Sequence, residues 1–345
     1  MVAMRKPTRP RPRGGLRTDE VDRHAVRLVV IDDASPRLAP FTSLPALLRA
    51  GDLLVVNDAA TLPASLRGHT SRGVPFELRL SGPVDPHHLV GVLLGEGDFR
   101  TRTEDRGLPP VLVRDERVDV AGFPAIVTAV AGRRVELATR LPDEEVYQRI
   151  YAVGAPIQYA HRPDALPLFA VQTAYASRPW AAEMPSAGRP LTWDTLLALR
   201  RANIELATLT HAAGLSATGD EALDQALPWP ERYELPRATV TAIGRTRARG
   251  GRVVAVGTTV VRALEAEREL RAGSGIASQR ITPTTPLHHV DALISGLHVP
   301  GESHFELLQA FAPRGVLERG LALASEHGLS SHELGDACLV QAQRR

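Results

Sequence analysis

The sequence has very little of what disulfides and cysteine-based metal sites are built from. It contains a single cysteine, Cys338, among 345 residues. One cysteine cannot close an internal disulfide or supply a cysteine-rich metal site, which is typical of a protein from a reducing compartment. No set of histidines and carboxylates has a recognised ligand spacing either, so we predict no metal.

Long apolar runs are also missing. No stretch approaches the roughly 18 apolar residues that span a bilayer. The basic start of the chain is not followed by the apolar segment of a secretory signal. We therefore expect no membrane contact and a cytoplasmic location.

Excess charge of one sign is small, because the formal net charge is only +2. Much of that excess lies in a basic, proline-rich tail over residues 1–24. Its like charges and proline spacing predict an extended segment. Such a tail can touch a phosphate backbone, but charge alone favours a plain solvated terminus.

The overall composition is that of a globular protein, with 43% hydrophobic and 23% charged residues. At this length two domains are the default expectation. Helix and strand patterns alternate over residues 25–61 and 150–345, whereas residues 62–149 hold short alternating segments between glycine and proline turns. This predicts a discontinuous α/β domain interrupted by a small antiparallel β barrel or sandwich.

Individual elements follow from apolar periodicity and from turn residues. In the inserted part we predict strands over residues 76–80, 89–94, 111–113, 125–130 and 134–137. In the α/β part we predict strands over residues 25–32, 52–57, 204–210, 252–256 and 290–297. The helices predicted there cover residues 44–49, 192–201, 237–249, 260–271 and 303–311.

The ends of four predicted strands carry residues suited to chemistry. Ligands of open α/β sheets gather outside the carboxyl ends of the strands. The four ends are Asn57-Asp58, His211, Gly257-Thr258-Thr259 and His298. An imidazole titrates near neutrality, so both histidines are candidates for proton transfer. A given one of the 12 histidines is more often a surface or packing residue, which is our interpretation of His288 and His289.

Two predicted helix starts carry capping residues. Residues 250–262 (GGRVVAVGTTVVR) are a strand, a glycine turn and a helix capped by a threonine. Free N–H groups at such a start can hold a carboxylate or a phosphate, although taken alone plain capping is the more frequent explanation. The string is neither a G-x-G-x-x-G fingerprint nor a P-loop, so it names no cofactor. Ser303 and Glu306 have capping-box spacing, which predicts that Ser303 caps the last core helix.

Several strings occur in the same order in one known family. Residues 53–58 (LLVVND) and 62–66 (LPASL) are similar to its L-L-V-x-N-D-T-R-V-x-P-A-R-L. Residues 250–265 (GGRVVAVGTTVVRALE) match G-G-R-V-x-A-V-G-T-T-S-V-R-T-L-E almost position for position. Shorter matches lie at residues 290–293, 298–300, 310–311 and 335–339. The chain thus resembles the S-adenosylmethionine:tRNA ribosyltransferase-isomerases of queuosine biosynthesis.

The resemblance implies a barrel-like α/β catalytic domain with an inserted β domain, in agreement with the change of pattern at residue 62. It also implies that the co-substrate S-adenosylmethionine gives its ribosyl unit, and not its methyl group, to the aminomethyl group of a 7-deazaguanine in tRNA. Epoxyqueuosine forms, and adenine and methionine leave. The sulfonium acidifies the adjacent ribose carbon and is a good leaving group, so the protein mainly needs a base, an acid and orientation.

The resemblance, together with the positions at strand ends, predicts roles for individual residues. We expect His211 and His298 to share the acid and base work, with Asp58 and Glu231 as orienting carboxylates. We expect Asn57 and Tyr233 to contact substrate. The residues expected at the S-adenosylmethionine site are Ser186, Ala187, Gly188, Gly257, Thr258, Thr259 and Arg262.

Several positions depart from the family motifs. Pro190 stands where A-P-T-A-G-L-H-F-T has a histidine, and much of the loop after His211 differs from T-L-H-V-G-x-G-T-F. Residues 229–233 (WPERY) lose the histidine of H-S-E-x-Y, and residues 273–277 (GSGIA) lose the polar pair of G-S-G-E-T. Residues 296–303 (GLHVPGES) stand in place of N-F-H-L-P-x-S-T. A proline or an apolar residue cannot make the lost hydrogen bonds, so the substrate must be held differently.

Three functions fit these observations. The chain is the tRNA enzyme itself, or a paralogue that uses S-adenosylmethionine on a different, small-molecule acceptor, or a binding protein without catalysis. Modest net charge argues weakly against tRNA, because a tRNA enzyme usually offers a basic surface. We take the tRNA enzyme as the working hypothesis.

Overall fold

The computed structural model describes residues 21–32, 35–82, 85, 87–161, 163–331 and 334–342. Of the predicted basic tail, residues 1–20 lie outside these ranges, and Val21–His24 form a short helix. The described residues form fifteen strands, which are β1 Arg27–Ile31, β2 Arg37–Pro40, β3 Leu53–Asn57, β4 Ser65–Thr70, β5 Pro75–Leu80, β6 Leu89–Leu94, β7 Arg117–Val120, β8 Phe123–Ala131, β9 Arg134–Ala138, β10 Glu205–His211, β11 Glu231–Leu235, β12 Val253–Val256, β13 Gly273–Ala277, β14 Ala292–Gly296 and β15 Ala337–Gln341. The same residues form nine α-helices, which are α1 Val21–His24, α2 Leu44–Leu47, α3 Asp143–Val153, α4 Trp193–Arg201, α5 Glu221–Gln225, α6 Arg237–Ala248, α7 Thr258–Leu264, α8 Ser303–Leu308 and α9 Arg314–Glu326.

Nine of the described strands form one mixed sheet, in the order β13-β11-β10-β3-β12-β14-β15-β1-β2. Its centre consists of four neighbouring parallel strands, β10, β3, β12 and β14. Leu53 and Val55 of β3 pack into the core on one face of the sheet, where α6, α7 and α9 lie. Leu54 and Val56 pack into the core on the other face, with α2 and α4. Because both faces are covered, β3 is buried along its whole length, as its uninterrupted apolar sequence indicates.

The other six described strands close into an antiparallel barrel, in the order β4-β5-β6-β9-β8-β7. β7 pairs back with β4 and completes the ring. In the first half of β8, buried and exposed residues alternate, because one side faces the barrel interior and the other faces outward. The barrel lies between β3 and β10 in the chain, which confirms the predicted fold class. The domain limits at residues 62 and 149 stay a prediction.

Two predictions of regular structure are wrong. Residues 111–113 form no strand, and Val111 and Val113 are exposed. They precede a tight turn in which Asp115 has a φ of 67°, and the barrel ladder begins only at Arg117. The helix predicted over residues 260–271 ends at Leu264. The reason is that the next side chain, Glu265, accepts backbone N–H groups of residues 288–290 at 2.7–3.0 Å.

Both predicted caps are also wrong. The residue before α7 is Gly257, with a φ of 95°, and Thr258 is already the first helical residue. A turn at positive φ favours glycine over a threonine cap. α8 begins at Ser303, as expected, but its capping position is Glu302. Neither helix start has a hydrogen bond from a capping side chain.

A buried charge network holds the barrel interior together. The Glu77 carboxylate accepts hydrogen bonds from Arg79 Nε and Ser65 Oγ, both at 2.8 Å, and from Arg106 Nη1. All three charged side chains are almost fully buried. Burial by itself raises the pKa of Glu77, but the two guanidinium groups outweigh it and bring this pKa down to about 2.

We predict that this network makes the free energy of unfolding of the protein depend on pH in the acidic range. The pKa of Glu77 in the folded protein is about 2, and the pKa of a glutamate in an unfolded chain is about 4.3. Its contribution is therefore fully present above the unfolded pKa and is lost as pH falls towards the folded one. Glu77→Gln should lower the free energy of unfolding by about 3–5 kcal/mol at neutral pH and flatten its decline between those pH values. Chemical denaturation at a series of pH values measures both, with the exposed Glu104→Gln as the control. Equal stability and equal pH dependence of Glu77→Gln and the wild type would contradict the assignment.

Candidate functional site

Four parallel strand ends lie side by side at one edge of the sheet. Leu209 of β10 pairs with Asn57, and Val56 pairs with Val256, which in turn pairs with Ile294. The candidate site residues predicted from the sequence lie at these pairs or a few positions after them. The edge therefore presents His211, Asn57-Asp58, Gly257 and the segment that leads to His298.

Asn57 fastens the ends of β3 and β10 together. Its Nδ2 donates to the carbonyl of His211 and its Oδ1 accepts the N–H of His211, both at 2.9 Å. The same Oδ1 accepts the N–H of Ala59 at 3.0 Å. The amide is buried and committed to the backbone, so its first effect is to fix the position of His211.

His211 is fully buried beside a carboxylate. Its Nε2 lies 3.6 Å from Glu231 Oε2, and among the described residues neither ring nitrogen has a hydrogen-bond partner. Burial, helped by the Arg262 charge, lowers the pKa of His211 to about 3. The ring is therefore neutral at physiological pH, with one N–H donor and one acceptor to offer.

Glu231 and Arg262 form a buried ion pair next to this ring. Arg262 Nη1 donates to Glu231 Oε2, and the backbone N–H of Gly214 donates to Glu231 Oε1 at 2.5 Å. Arg262 Nη2 donates to the carbonyls of Trp229 and Ala277 at 3.0 and 2.7 Å. Burial raises the pKa of Glu231 and lowers the pKa of Arg262, and each partner's charge opposes the other's shift. The guanidinium thus ties α7 to the segment before β11 and to the end of β13.

Tyr233 pairs with His211 across β10 and β11. Its ring is almost fully buried in the core on that face of the sheet. A side chain at Gly275 of the next strand would place a Cβ 2.5 Å from this ring. Gly275 therefore lets Tyr233 lie flat against β13.

The two segments expected at the S-adenosylmethionine site are in contact. A Cβ built on Gly257 would lie 4.0 Å from the Ala187 Cβ, and Ala187 sits in the core with Val256 and Ile294. Ser186–Gly188 form a 3-10 turn above these strand ends. Thr258 is buried as the first residue of α7 and Thr259 is half-buried. The structure thus brings together residues that are about seventy positions apart in the chain.

Tyr175 and Asp58 border the same turn. Tyr175 lies against Gly188, where no other residue type leaves room for its hydroxyl. Burial raises the pKa of Tyr175, and the Asp58 charge adds to this shift. Asp58 Oδ1 accepts a hydrogen bond from Thr210 Oγ1 at 2.6 Å. No sequence signal pointed to Tyr175, because its neighbours in space come from distant segments.

His298 has a carboxylate partner that sequence reasoning missed. Its Nδ1 lies 3.2 Å from Glu302 Oε2, which also accepts the N–H of Val299 at 3.2 Å. The His304 ring lies 4.6 Å from the His298 ring, centroid to centroid. Burial, and then His298, lowers the pKa of His304 to about 3. The spacing of four residues between His298 and Glu302 was the available signal for this pair.

A cavity of about 200 Å³ lies between the barrel and the sheet. Its walls come from both parts of the fold. The lining residues are Ser81, Arg134, Gly214, Leu215, Leu227, Trp229, Pro230 and Glu231. Glu231 thus connects the cavity with His211 and Arg262. Sequence reasoning did not find this cavity, because barrel and sheet residues meet there only after folding.

Glu183 and Tyr159 connect the segment after the barrel with the loop after β10. The Tyr159 hydroxyl donates to the Glu183 carboxylate, which also accepts the N–H of Ser216 at 2.8 Å. Burial raises the pKa of Glu183 and the pKa of Tyr159. This link holds the loop that contributes Gly214 and Leu215 to the cavity.

Two further findings concern the described part of the chain. It contains no group of three or more His, Cys, Asp or Glu side chains that could hold a metal ion. None of its helices combines the length and apolarity needed to cross a membrane. The roles assigned from the sequence to His211, His298, Asp58, Glu231, Asn57, Tyr233 and the S-adenosylmethionine residues stay predictions.

Comparison with known proteins gives consistent matches over nearly the whole chain. A family model described as queuosine biosynthesis protein matches residues 16–340. A protein of Anaeromyxobacter dehalogenans named S-adenosylmethionine:tRNA ribosyltransferase-isomerase is 34% identical over 332 residues, 92% of this chain and 93% of the relative. One of the same name from Burkholderia pseudomallei is 32% identical over 343 residues, 92% and 90% of the two chains. A solved structure of S-adenosylmethionine tRNA ribosyltransferase from Thermotoga maritima is 21% identical, with 92% and 93% coverage and a TM-score of 0.49.

The contact between Gly188 and Tyr175 generates a stability prediction. Gly188→Ala would place a methyl group on the Tyr175 hydroxyl, so we expect a loss of about 1–3 kcal/mol in the free energy of unfolding. Tyr175→Phe in the same chain should restore most of it, because the nearest ring carbon then lies 3.3 Å away. Gly244→Ala is the control, since a Cβ there meets nothing within 4 Å and should stabilise α6 by about 0.5–1 kcal/mol. Denaturant unfolding of the wild type and the three variants measures these differences, and an unaffected Gly188→Ala variant would show that the turn is not packed as described.

Proposed function

This chain belongs to the family described as queuosine biosynthesis protein, and on that premise we propose that it is an S-adenosylmethionine:tRNA ribosyltransferase-isomerase. The observation that carries the proposal is 34% identity, over 92% of the chain, with an enzyme of that name. The resemblance read from the sequence motifs is thereby confirmed. The co-substrate is S-adenosylmethionine and the acceptor is tRNA, so the chain is a transferase and isomerase of tRNA modification.

The proposed reaction transfers the ribosyl unit to the aminomethyl group of a 7-deazaguanine in tRNA. Epoxyqueuosine is the product, and adenine and methionine are released. A proton must leave the ribose carbon beside the sulfonium, and a proton must reach the departing adenine. We place this chemistry in the cytoplasm.

Support for the S-adenosylmethionine site comes from the contact between the Ser186–Gly188 turn and Gly257. Both segments lie over the carboxyl ends of β12 and β14, where ligands of parallel sheets gather. Thr258 and Thr259 add hydroxyl groups beside this turn. Arg262 contributes indirectly, because its guanidinium is committed to Glu231 and to two backbone carbonyls.

We assign proton transfer to His298, and a hydrogen-bonding role to His211, on chemical grounds. Glu302 engages His298 Nδ1, which leaves Nε2 free to take or give a proton, as in carboxylate-oriented histidines of general acid and base catalysis. His211, whose pKa is lowered to about 3, acts as a neutral hydrogen-bonding group and is a weak base. Asp58 and Glu231 keep their proposed role as positioning carboxylates, through Thr210 and beside His211.

An acceptor-dependence experiment tests the function directly. The purified full chain is incubated with S-adenosylmethionine and with tRNA that carries either 7-aminomethyl-7-deazaguanine or guanine at the modified position. Mass spectrometry follows adenine, methionine and the mass of the tRNA base. We expect adenine and methionine release, with a ribosyl-derived mass gain, only with the first tRNA. Release with a small-molecule acceptor, and none with tRNA, would instead favour the paralogue.

The same assay tests the histidines. His298→Ala should lower turnover by about a hundredfold to ten-thousandfold while the melting temperature stays near that of the wild type. His211→Ala should also lower turnover, because a buried hydrogen-bonding group is lost, and it should lower the melting temperature because the ring is fully buried. His69→Ala, on the outside of the barrel and more than half exposed, is the control and should retain full activity. Unchanged turnover in both site variants would remove the catalytic assignment.

A further inference from the structure

We propose that the cavity between barrel and sheet binds a purine-type base, by which we mean a flat fused heterocycle that carries N–H donors. The inference rests on the proposed function, because the 7-deazaguanine acceptor and the leaving adenine are both bases of this kind. The inference adds to the proposed function a binding site, with named residues, for either the acceptor base or the leaving adenine.

The size of the cavity selects a single heterocycle. Its volume is about 200 Å³, below the roughly 300–1,000 Å³ of pockets that enclose drug-sized ligands. Whole S-adenosylmethionine or a nucleotide is larger than this space. One fused ring system fits, with the rest of its molecule outside.

One wall of the cavity contains an aromatic ring and a guanidinium group. The Arg134 guanidinium, from barrel strand β9, lies 5.2 Å from the centroid of the Trp229 ring, and both line the cavity. Bases that are out of their helix are held by stacking on aromatic rings and on guanidinium planes. Leu215, Leu227 and Pro230 add apolar contacts around this wall, as expected where a heterocycle is buried.

The carboxylate that lines the cavity is a hydrogen-bond acceptor. Glu231 lines it with a carboxylate whose two oxygens each accept one protein hydrogen bond, from Gly214 and from Arg262. A carboxylate has about four acceptor positions, so ring or exocyclic N–H donors of a base can still be bound. A side chain at Gly214 would place a Cβ 2.8 Å from Glu231 Oε1, so the glycine keeps this carboxylate accessible. His211 is fully buried directly behind it, and its ring nitrogens have no hydrogen-bond partner among the residues that the structure describes.

The position of the cavity also suits a base that is carried by tRNA. Its lining comes from the barrel, through Ser81 and Arg134, and from the segment that leads into β11, through Trp229 and Glu231. Enzymes that act on a base of a nucleic acid take it out of the stack into such a pocket. Trp229 stands where the family motif has a histidine, so stacking here takes the place of a hydrogen-bonding side chain.

Calorimetric binding of free bases tests this site without relying on turnover. The full chain is titrated with 7-aminomethyl-7-deazaguanine and, separately, with adenine. Trp229→Leu should weaken whichever base binds by about tenfold or more, the loss expected when a base loses an aromatic partner. Trp229→Phe keeps a ring and should stay within about threefold of the wild type. Trp193→Leu, an exposed tryptophan on α4, is the matched control and should bind like the wild type.

The base that is affected identifies the source. If the binding of 7-aminomethyl-7-deazaguanine depends on Trp229, the cavity is assigned to the acceptor. If the binding of adenine depends on Trp229, the cavity is assigned to the leaving group. If Trp229→Leu does not fold, Arg134→Gln on the exposed barrel strand should still weaken binding several-fold. The proposal is overturned if neither base binds the wild type, or if folded Trp229 and Arg134 variants bind as the wild type does. Base binding that depends on Trp229, without any release of adenine from S-adenosylmethionine, would instead refute the proposed function and leave the site standing.

Discussion

Arg262 and Glu231 form a buried ion pair where α7, β11 and β13 meet the edge of the barrel. Taking both charges out of water is costly, and in such pairs the loss of one partner costs about 3–5 kcal/mol because the other charge is left buried alone. The guanidinium also holds the backbone carbonyls of Trp229 and Ala277. Arg262 therefore positions Glu231, the cavity wall at Trp229 and the end of β13, and Glu231 in turn lies 3.6 Å from the His211 ring.

This arrangement explains how the site tolerates its departures from the family motifs. Glu231 and Arg262 are kept, and they hold the segment in which a histidine has become Trp229 and a serine has become Pro230. The two substitutions change the lining of the cavity and leave its support in place. Pro190 is buried beside the Ser186–Gly188 turn, so the lost histidine there is replaced by packing. The chemistry then depends on strand ends that the motifs predict well.

Much of the α/β part could be predicted from the sequence because its signals are local. The apolar run Leu53–Asn57 and the glycine-flanked string that contains β12 and α7 specify buried parallel strands. Since parallel strands end at one edge, the neighbourhood of His211, Asn57 and Gly257 followed from the same reasoning. The barrel was predicted as a class, although β4 and β7 were missed. Small and polar residues interrupt the alternation of β4, and β7 alternates over only four residues.

The rest depends on contacts between distant segments, which no local pattern carries. Glu302 takes the capping position that Ser303 was expected to hold, and its side chain bonds to His298 instead. Glu265 ends α7 early by bonding to residues 288–290. The contacts of Tyr175 and the cavity form only when the chain after the barrel returns to the sheet.

A crystal structure of the full chain with S-adenosylmethionine and 7-aminomethyl-7-deazaguanine tests the central claim most directly. The account predicts the sulfonium nucleoside at the Gly257 and Ser186–Gly188 turns with a base beside Trp229 and Glu231, and ligand density at another edge of the sheet would contradict it.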